Sequence, residues 1–176
     1  MIDTATVYGT EKGVGIGVQR AIDEGLVTRG DLFIMTKLPP YDQPVDKVSL
    51  WLVIVTSFKF EFEVHCNALL INNLRVFQTV DMINESLKIL QLDYLDCVLI
   101  HFPGRPTGFN PQNKSVFFSS ITSDPVRAPE ARMVTWEALQ KCQQYAKIRH
   151  IGVSNFNRHH IEKLVHDTRQ ERDHKS

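Results

Sequence analysis

The sequence predicts an α/β fold built on a parallel sheet, and three observations point to it. Strand-like segments recur at Ile2–Thr4, Leu32–Lys37, Tyr94–His101 and Ile148–Asn155. Stretches with apolar residues at helical spacing separate them. Leu32–Lys37 is a compact apolar run, as expected of a strand buried on both faces, and Tyr94–His101 is the next buried strand. Alternation of this kind gives β-α-β-α-β-α-β-α, the order that covers a parallel sheet with helices. A length of 176 residues suits a single domain spanning the whole chain, 1–176.

Each element has its own local reason. Ile2–Thr4 reads as a short strand. Val14, Val18, Ala21 and Ile22 share one face of a helix over Lys12–Glu24, which Gly25 stops. Leu32–Lys37 is the second strand, and Pro39, Pro40 and Pro44 mark the loop after it. Thr79 reads as the cap of a helix carrying Ile83, Leu87 and Leu90. Tyr94–His101 is the third strand. Residues 102–131 hold five prolines and no periodicity, so they read as a long loop. Trp136, Leu139, Cys142 and Ala146 give a third helical face, Ile148–Asn155 a fourth strand. Asn157 caps a last short helix with Ile161, Leu164 and Val165.

Composition removes several classes of function. Lys plus Arg and Asp plus Glu are equal at 20 each, so charge draws the chain neither to nucleic acid nor to an anionic membrane surface. The apolar run Leu50–Val55 falls far short of the ~20 residues of a membrane helix. Three widely spaced cysteines, Cys66, Cys97 and Cys142, give neither a disulfide framework nor metal-ligand spacing, and fit a reducing, cytoplasmic setting. The first residues lack the basic and apolar regions of a secretory signal. His159, His160, His166 and His174 sit in a polar stretch without the partners of a metal site, so no metal is expected. Gly13–Gly17, "GVGIG", has Val18 where a dinucleotide fingerprint needs its third glycine, and reads as close helix packing.

In parallel α/β folds the strands' C-terminal ends emerge on one face, and the active site lies there. The polar residues just beyond the four strands are Asp3 and Tyr8, then Lys37, then His101, then Ser154 and Asn155. A phenol is a weak acid in neutral water, but a neighbouring ammonium stabilises its phenolate. Asp3 would hold Lys37 charged, His101 would donate to a substrate oxygen, and Tyr8 would act as general acid toward a carbonyl. None of these groups carries two electrons, so redox chemistry would need a cofactor. Ser154 and Asn155 offer the groups that hold a carboxamide.

Four segments, "IDTATVYGTE" (2–11), "EGLVTRGDLFIMTKL" (24–38), "SLKILQLDYLDCVLIHFP" (86–103) and "IRHIGVSNFN" (148–157), resemble the aldo-keto reductase family. The resemblance implies a (β/α)8 TIM barrel that reduces aldehydes and ketones with NADPH. Its catalytic tetrad falls on Asp3, Tyr8, Lys37 and His101, and Ser154 and Asn155 would join Asp3 in binding the cofactor. Against the family's pattern the chain corresponds to strands 2–5 of the barrel with their helices, a partial barrel. The alternatives are a catalytically inactive fragment and a nicotinamide-binding regulatory subunit. Unpaired strand edges would favour self-association. Ala146 stands where the family usually has glycine, which removes an easy left-handed stop.

Between Pro44 and Thr79 the chain departs from this pattern. Tyr8 and Lys37 are 29 positions apart, Lys37 and His101 64; removing the 31 residues Val48–Gln78 leaves 33, close to the family's gap. GTAAGT, a consensus intron start, encodes Val-Ser, as at 48–49, and TTTCAG, a consensus intron end, encodes Phe-Gln, as at 77–78. A translated retained intron at 48–78 is one reading. An inserted hairpin is the other, because Phe58, Phe60, Phe62 and Val64 alternate with polar residues.

Overall fold

The computed structural model describes residues 1–38, 66–104 and 127–175. Four strands, β1 (Ile2–Asp3), β2 (Ile34–Leu38), β3 (Leu95–Ile100) and β4 (Ile148–Val153), form one parallel sheet in the order β1-β2-β3-β4. Four helices follow them in turn: α1 (Glu11–Asp23), α2 (Cys66–Leu90), α3 (Arg127–Gln144) and α4 (Arg158–Lys175). The predicted alternation is therefore the observed one.

Strand register sets the two faces of the sheet. Thr36 pairs with Val98 and Val98 with Ile151, while Lys37 pairs with Leu99 and Leu99 with Gly152. Residues paired in register point the same way, and neighbours along a strand point oppositely. Ile34, Leu38, Val98 and Ile100 thus face the helices, where they pack with Val18, Ile83, Leu87, Leu90, Leu139 and Cys142. Asp3, Met35, Lys37 and Leu99 lie on the other face.

The lower end of the sheet is fixed by one carboxylate. Asp96, buried in β3, accepts from Arg29 (2.7 Å), from Arg149 (3.2 Å) and from the backbone N–H of Ile34 (2.9 Å). The two guanidiniums sandwich the Tyr94 ring at 3.9 and 4.0 Å. Arg29 is held in turn by the turn Arg29–Asp31, whose start Thr28 forms a reciprocal cap with Asp31.

Three expectations need correction. Thr79 does not cap a helix: α2 starts at Cys66, and Thr79 is buried in its interior. The segment 66–78 contains no Gly or Pro to stop a helix, and Val76, Thr79, Ile83, Leu87 and Leu90 continue one buried stripe at helical spacing. The long loop ends earlier than expected, since α3 begins at Arg127, and Pro129 is tolerated because it falls in the first turn. The last helix is not short. It runs 18 residues, with Arg158–Glu162 (2.7 Å) and Lys163–Asp167 (3.0 Å) supporting its polar faces. Asn157 caps it as expected, accepting from the His160 N–H at 3.0 Å. Phe58–His65, the strand-like stretch, lies outside the described residues.

Ala146 also differs from its assignment. It leaves the helical face and takes φ 57°, with Lys147 N–H donating to Cys142 (3.1 Å) and its own N–H to Gln143 (3.0 Å). This is the left-handed stop that glycine usually provides, made here by alanine at a cost of about 1–2 kcal/mol.

The "GVGIG" run resolves into one packing residue and two exposed ones. A Cβ on Gly15 would lie 2.7 Å from the Leu90 carbonyl oxygen, whereas Gly13 and Gly17 have open space. Gly15 therefore sets how closely α1 approaches α2. Gly15→Ala is expected to destabilise by about 1–3 kcal/mol through overpacking. Gly17→Ala is expected to stabilise by about 0.5–1 kcal/mol through helix propensity. Urea unfolding of the two variants checks the opposite signs.

Candidate active site

The parallel register ends β2, β3 and β4 at one level, with Leu38 opposite Ile100 and Ile100 opposite Val153. Residues at and just past these ends converge. Lys37, its side chain 8% exposed, forms an ion pair with the Asp3 carboxylate and also donates to the Thr4 carbonyl at 3.3 Å. A buried ammonium needs such partners, since desolvation otherwise expels its charge. Its Nζ lies 5.3 Å from the centroid of the Tyr8 ring, and Tyr8 itself is half exposed.

Tyr8 reaches this place through a single turn. After β1 the chain makes a short turn, Thr6–Tyr8, closed by Tyr8 N–H donating to Ala5 O at 3.0 Å. Gly9 follows at φ 68°, a left-handed conformation that redirects the chain into α1. Two hydrogen bonds from hydroxyls brace this segment: Thr4 and Thr10 are bonded at 3.0 Å, and Thr36 donates to the buried Glu11 carboxylate at 2.8 Å.

His101 stands directly after β3. Its Nε2 is 3.5 Å from the Tyr8 hydroxyl, at the outer limit of a hydrogen bond, with the rings edge to face. Its other side stacks on Phe102, with centroids 4.1 Å apart. Burial, and then the Lys37 ammonium, push its pKa down to about 4, while Asp3 pulls the other way. His101 is therefore neutral at physiological pH. Its Nδ1 is buried without a hydrogen-bond partner.

Asn155 connects β4 to this centre. It occupies φ 59°, a conformation that asparagine tolerates, and its Nδ2 donates to the His101 carbonyl at 2.8 Å and to Ser154 Oγ at 3.1 Å. All six residues picked from the sequence thus lie at one end of the sheet. Sequence reading did not single out Thr4, Thr6, Thr10, Thr36 and Glu11, which hold Tyr8 and Lys37 in place. The only trace of them is the density of hydroxyls around Tyr8.

Chemically the cluster can move one proton. A phenol lies beside an ammonium and a neutral imidazole, and its exposed side is open to a substrate. Among the described residues no group of three or more His, Cys, Asp or Glu is placed to hold a metal ion. None of the described helices is long and apolar enough to cross a membrane.

Known proteins similar to this chain are numerous. The profile of the aldo/keto reductase family matches residues 1–175. The aldo-keto reductase AKR2E4 of Bombyx mori is 34% identical over 166 residues, covering 93% of this chain and 38% of the relative. The glyoxal reductase of Bacillus subtilis is 34% identical over 166 residues, covering 94% and 39%. The crystal structure of the Bombyx mori enzyme in complex with NADP superposes with a TM-score of 0.60 over 93% of this chain and 38% of that one. An aldo/keto reductase from Brucella melitensis, 28% identical, gives 0.57 over 94% and 42%. The chain thus spans about two-fifths of the length of the relatives it matches, and its sheet is part of their (β/α)8 barrel. By sequence and fold together, the chain belongs to the aldo/keto reductase family.

Proposed function

We propose that the site reduces the carbonyl group of an aldehyde or ketone to an alcohol with NADPH, or runs the reverse oxidation. The observation that carries this reading is the Tyr8 hydroxyl, held between a buried ammonium 5.3 Å from its ring and a neutral imidazole at 3.5 Å. When bound, NADPH supplies the two electrons that none of these side chains carries. Tyr8 gives its proton to the carbonyl oxygen as negative charge grows there. Lys37, kept charged by Asp3, stabilises the phenolate left behind. His101, neutral, donates to the same oxygen and fixes its position.

Ser154 and Asn155 suit a nicotinamide carboxamide in complementary ways. Asn155 spends its Nδ2 on His101 and Ser154, leaving Oδ1 to accept from the amide nitrogen. Ser154 Oγ accepts from Asn155 and keeps its own proton to donate to the amide oxygen. Asp3 completes the set from β1. Cys97 and Cys142, both buried free thiols, agree with a reducing, cytoplasmic setting.

Activity belongs to the whole reductase fold, and this chain by itself is proposed to be a poor catalyst. In barrels of this type the phosphate site is usually formed by the loops after the last two strands. The described sheet has four strands, and β1 and β4 each pair on one side only among the described residues. Such edges favour self-association. The chain is expected to show no saturable NADPH fluorescence change in the micromolar range and to elute larger than a monomer. In any longer, active form, Tyr8→Phe is expected to lower aldehyde reduction by about 10²–10⁴-fold with NADPH binding kept. A loss below tenfold would remove Tyr8 from the role of acid.

The origin of Val48–Gln78 is part of the same proposal: it is a translated retained intron. Its support is the restored spacing between Lys37 and His101 and the residue pairs Val48-Ser49 and Phe77-Gln78, which consensus splice sequences would encode. A mature message joining Lys47 to Thr79 is expected on sequencing the transcript. Its absence would favour a true insertion.

Neutral His101 has a consequence for stability. Its folded pKa of about 4 lies below the ordinary value of 6.5, so the unfolded chain binds the proton more readily. Stability is therefore expected to fall as pH drops from about 6.5 toward 4, by on the order of 3 kcal/mol across the window. Unfolding midpoints measured between pH 4 and 7, with His101→Asn as the control that flattens the slope, test this.

A further inference from the structure

The ladder between β1 and β2 has an unusual last rung. Parallel pairing leaves the carbonyls of Phe33, Met35 and Lys37 pointing at β1, two residues apart. The first accepts from Ile2 N–H at 2.8 Å, and the second from Thr4 N–H at 2.9 Å. A regular strand would offer the N–H of residue 6 to the third. By then the chain has left the sheet for the Thr6–Tyr8 turn, and the Lys37 carbonyl accepts instead from the Thr6 hydroxyl at 3.2 Å. A side chain thus continues the ladder after the backbone has turned away.

This rung joins the two residues on which the proposed chemistry depends. Thr6 is two positions before Tyr8, inside the same turn, and its acceptor belongs to Lys37. The Lys37 ammonium returns the tie through Asp3 and the Thr4 carbonyl. The Lys37 backbone thus ties the turn to β2, while its side chain ties down the end of β1 from which the turn springs. Removing the backbone tie leaves a part-buried carbonyl without a donor and frees the turn to swing about Thr4 and Ala5.

We infer that Thr6 is a positioning residue, whose hydroxyl sets the distance between the Tyr8 phenol and the Lys37 ammonium by replacing the missing third rung of the β1–β2 ladder. The inference rests on the reading of Tyr8 as proton donor. Small displacements of an acid from its counter-charge reduce turnover without changing how substrate is held.

The test compares Thr6→Val and Thr6→Ala, which lack the hydroxyl, with Thr6→Ser, which keeps it. Two readouts are needed. In an active form, kcat for aldehyde reduction is expected to fall about fivefold to tenfold in the hydroxyl-free variants, with KM within about twofold, and to return in Thr6→Ser. In the full 176-residue chain with labelled Tyr and Lys, the NMR cross-peak between the Tyr8 ring and the Lys37 ε-methylene is expected to weaken in Val and Ala and persist in Ser. Equal loss in all three variants, or an unchanged cross-peak in Val and Ala, overturns the inference. If Tyr8→Phe leaves turnover intact, the proton-donor reading falls, while the cross-peak still decides the part played by Thr6.

Discussion

The common level at which the parallel strands end is the constraint on which the site depends. Leu38, Ile100 and Val153 stand side by side, so residues far apart in sequence meet just past them. A shift of one residue in β3 would turn His101 toward the helices and bring a core side chain to the site. The Asp96 network opposes that shift. Its carboxylate binds β3 to the Ile34 N–H of β2 and to Arg149 of β4, which are the two pairings that fix the register. A buried carboxylate with two guanidiniums and an N–H is well satisfied, so it contributes specificity of alignment more than net stability. The lower end of the sheet thus holds the alignment that the upper end uses.

At the upper end one cation serves two neighbours with opposite needs. In the proposed reaction Lys37 stabilises the phenolate, while burial first and the same charge second keep His101 from becoming a cation. Asp3 tempers the field: it pairs with the Lys37 ammonium and opposes its effect on His101. Four side chains therefore form one electrostatic unit, and single substitutions in it will not add.

Much of this was legible in the sequence, for physical reasons that differ by element. β2 and β3 are dense apolar runs with one polar residue at the end, so their type and their functional ends were visible together. Lys37 and His101 could be picked because parallel topology converts strand ends into neighbours. The start of α2 was not legible, because Thr79 looks like a cap while also fitting a buried helical stripe, and only packing distinguishes the two. The full length of α4 was missed because no apolar face continues beyond Val165 to mark it. Ala146 was read as a helix-face residue because alanine gives no sign of a left-handed bend. The hydroxyls around Tyr8 were missed for a related reason: threonine signals neither core nor catalysis until its partners are known.

The continuity of α2 bears on what an added segment can do to such a fold. From Thr79 to Leu90 the helix spans ~18 Å at 1.5 Å per residue, close to the ~20 Å of a six-residue strand. That part alone is sufficient to cross the sheet back from the upper end to the lower. The 13 residues Cys66–Gln78 add ~20 Å more. A crossover helix starts at the strands' C-terminal level and descends, so the added turns rise beyond the end of the sheet where the site lies. Val76 packs against Val134 and Ala138 of α3. The register of β2 with β3 is untouched, and so is the meeting of Lys37 with Tyr8. An extension here therefore leaves the sheet able to form, and acts on whatever must approach the site from above.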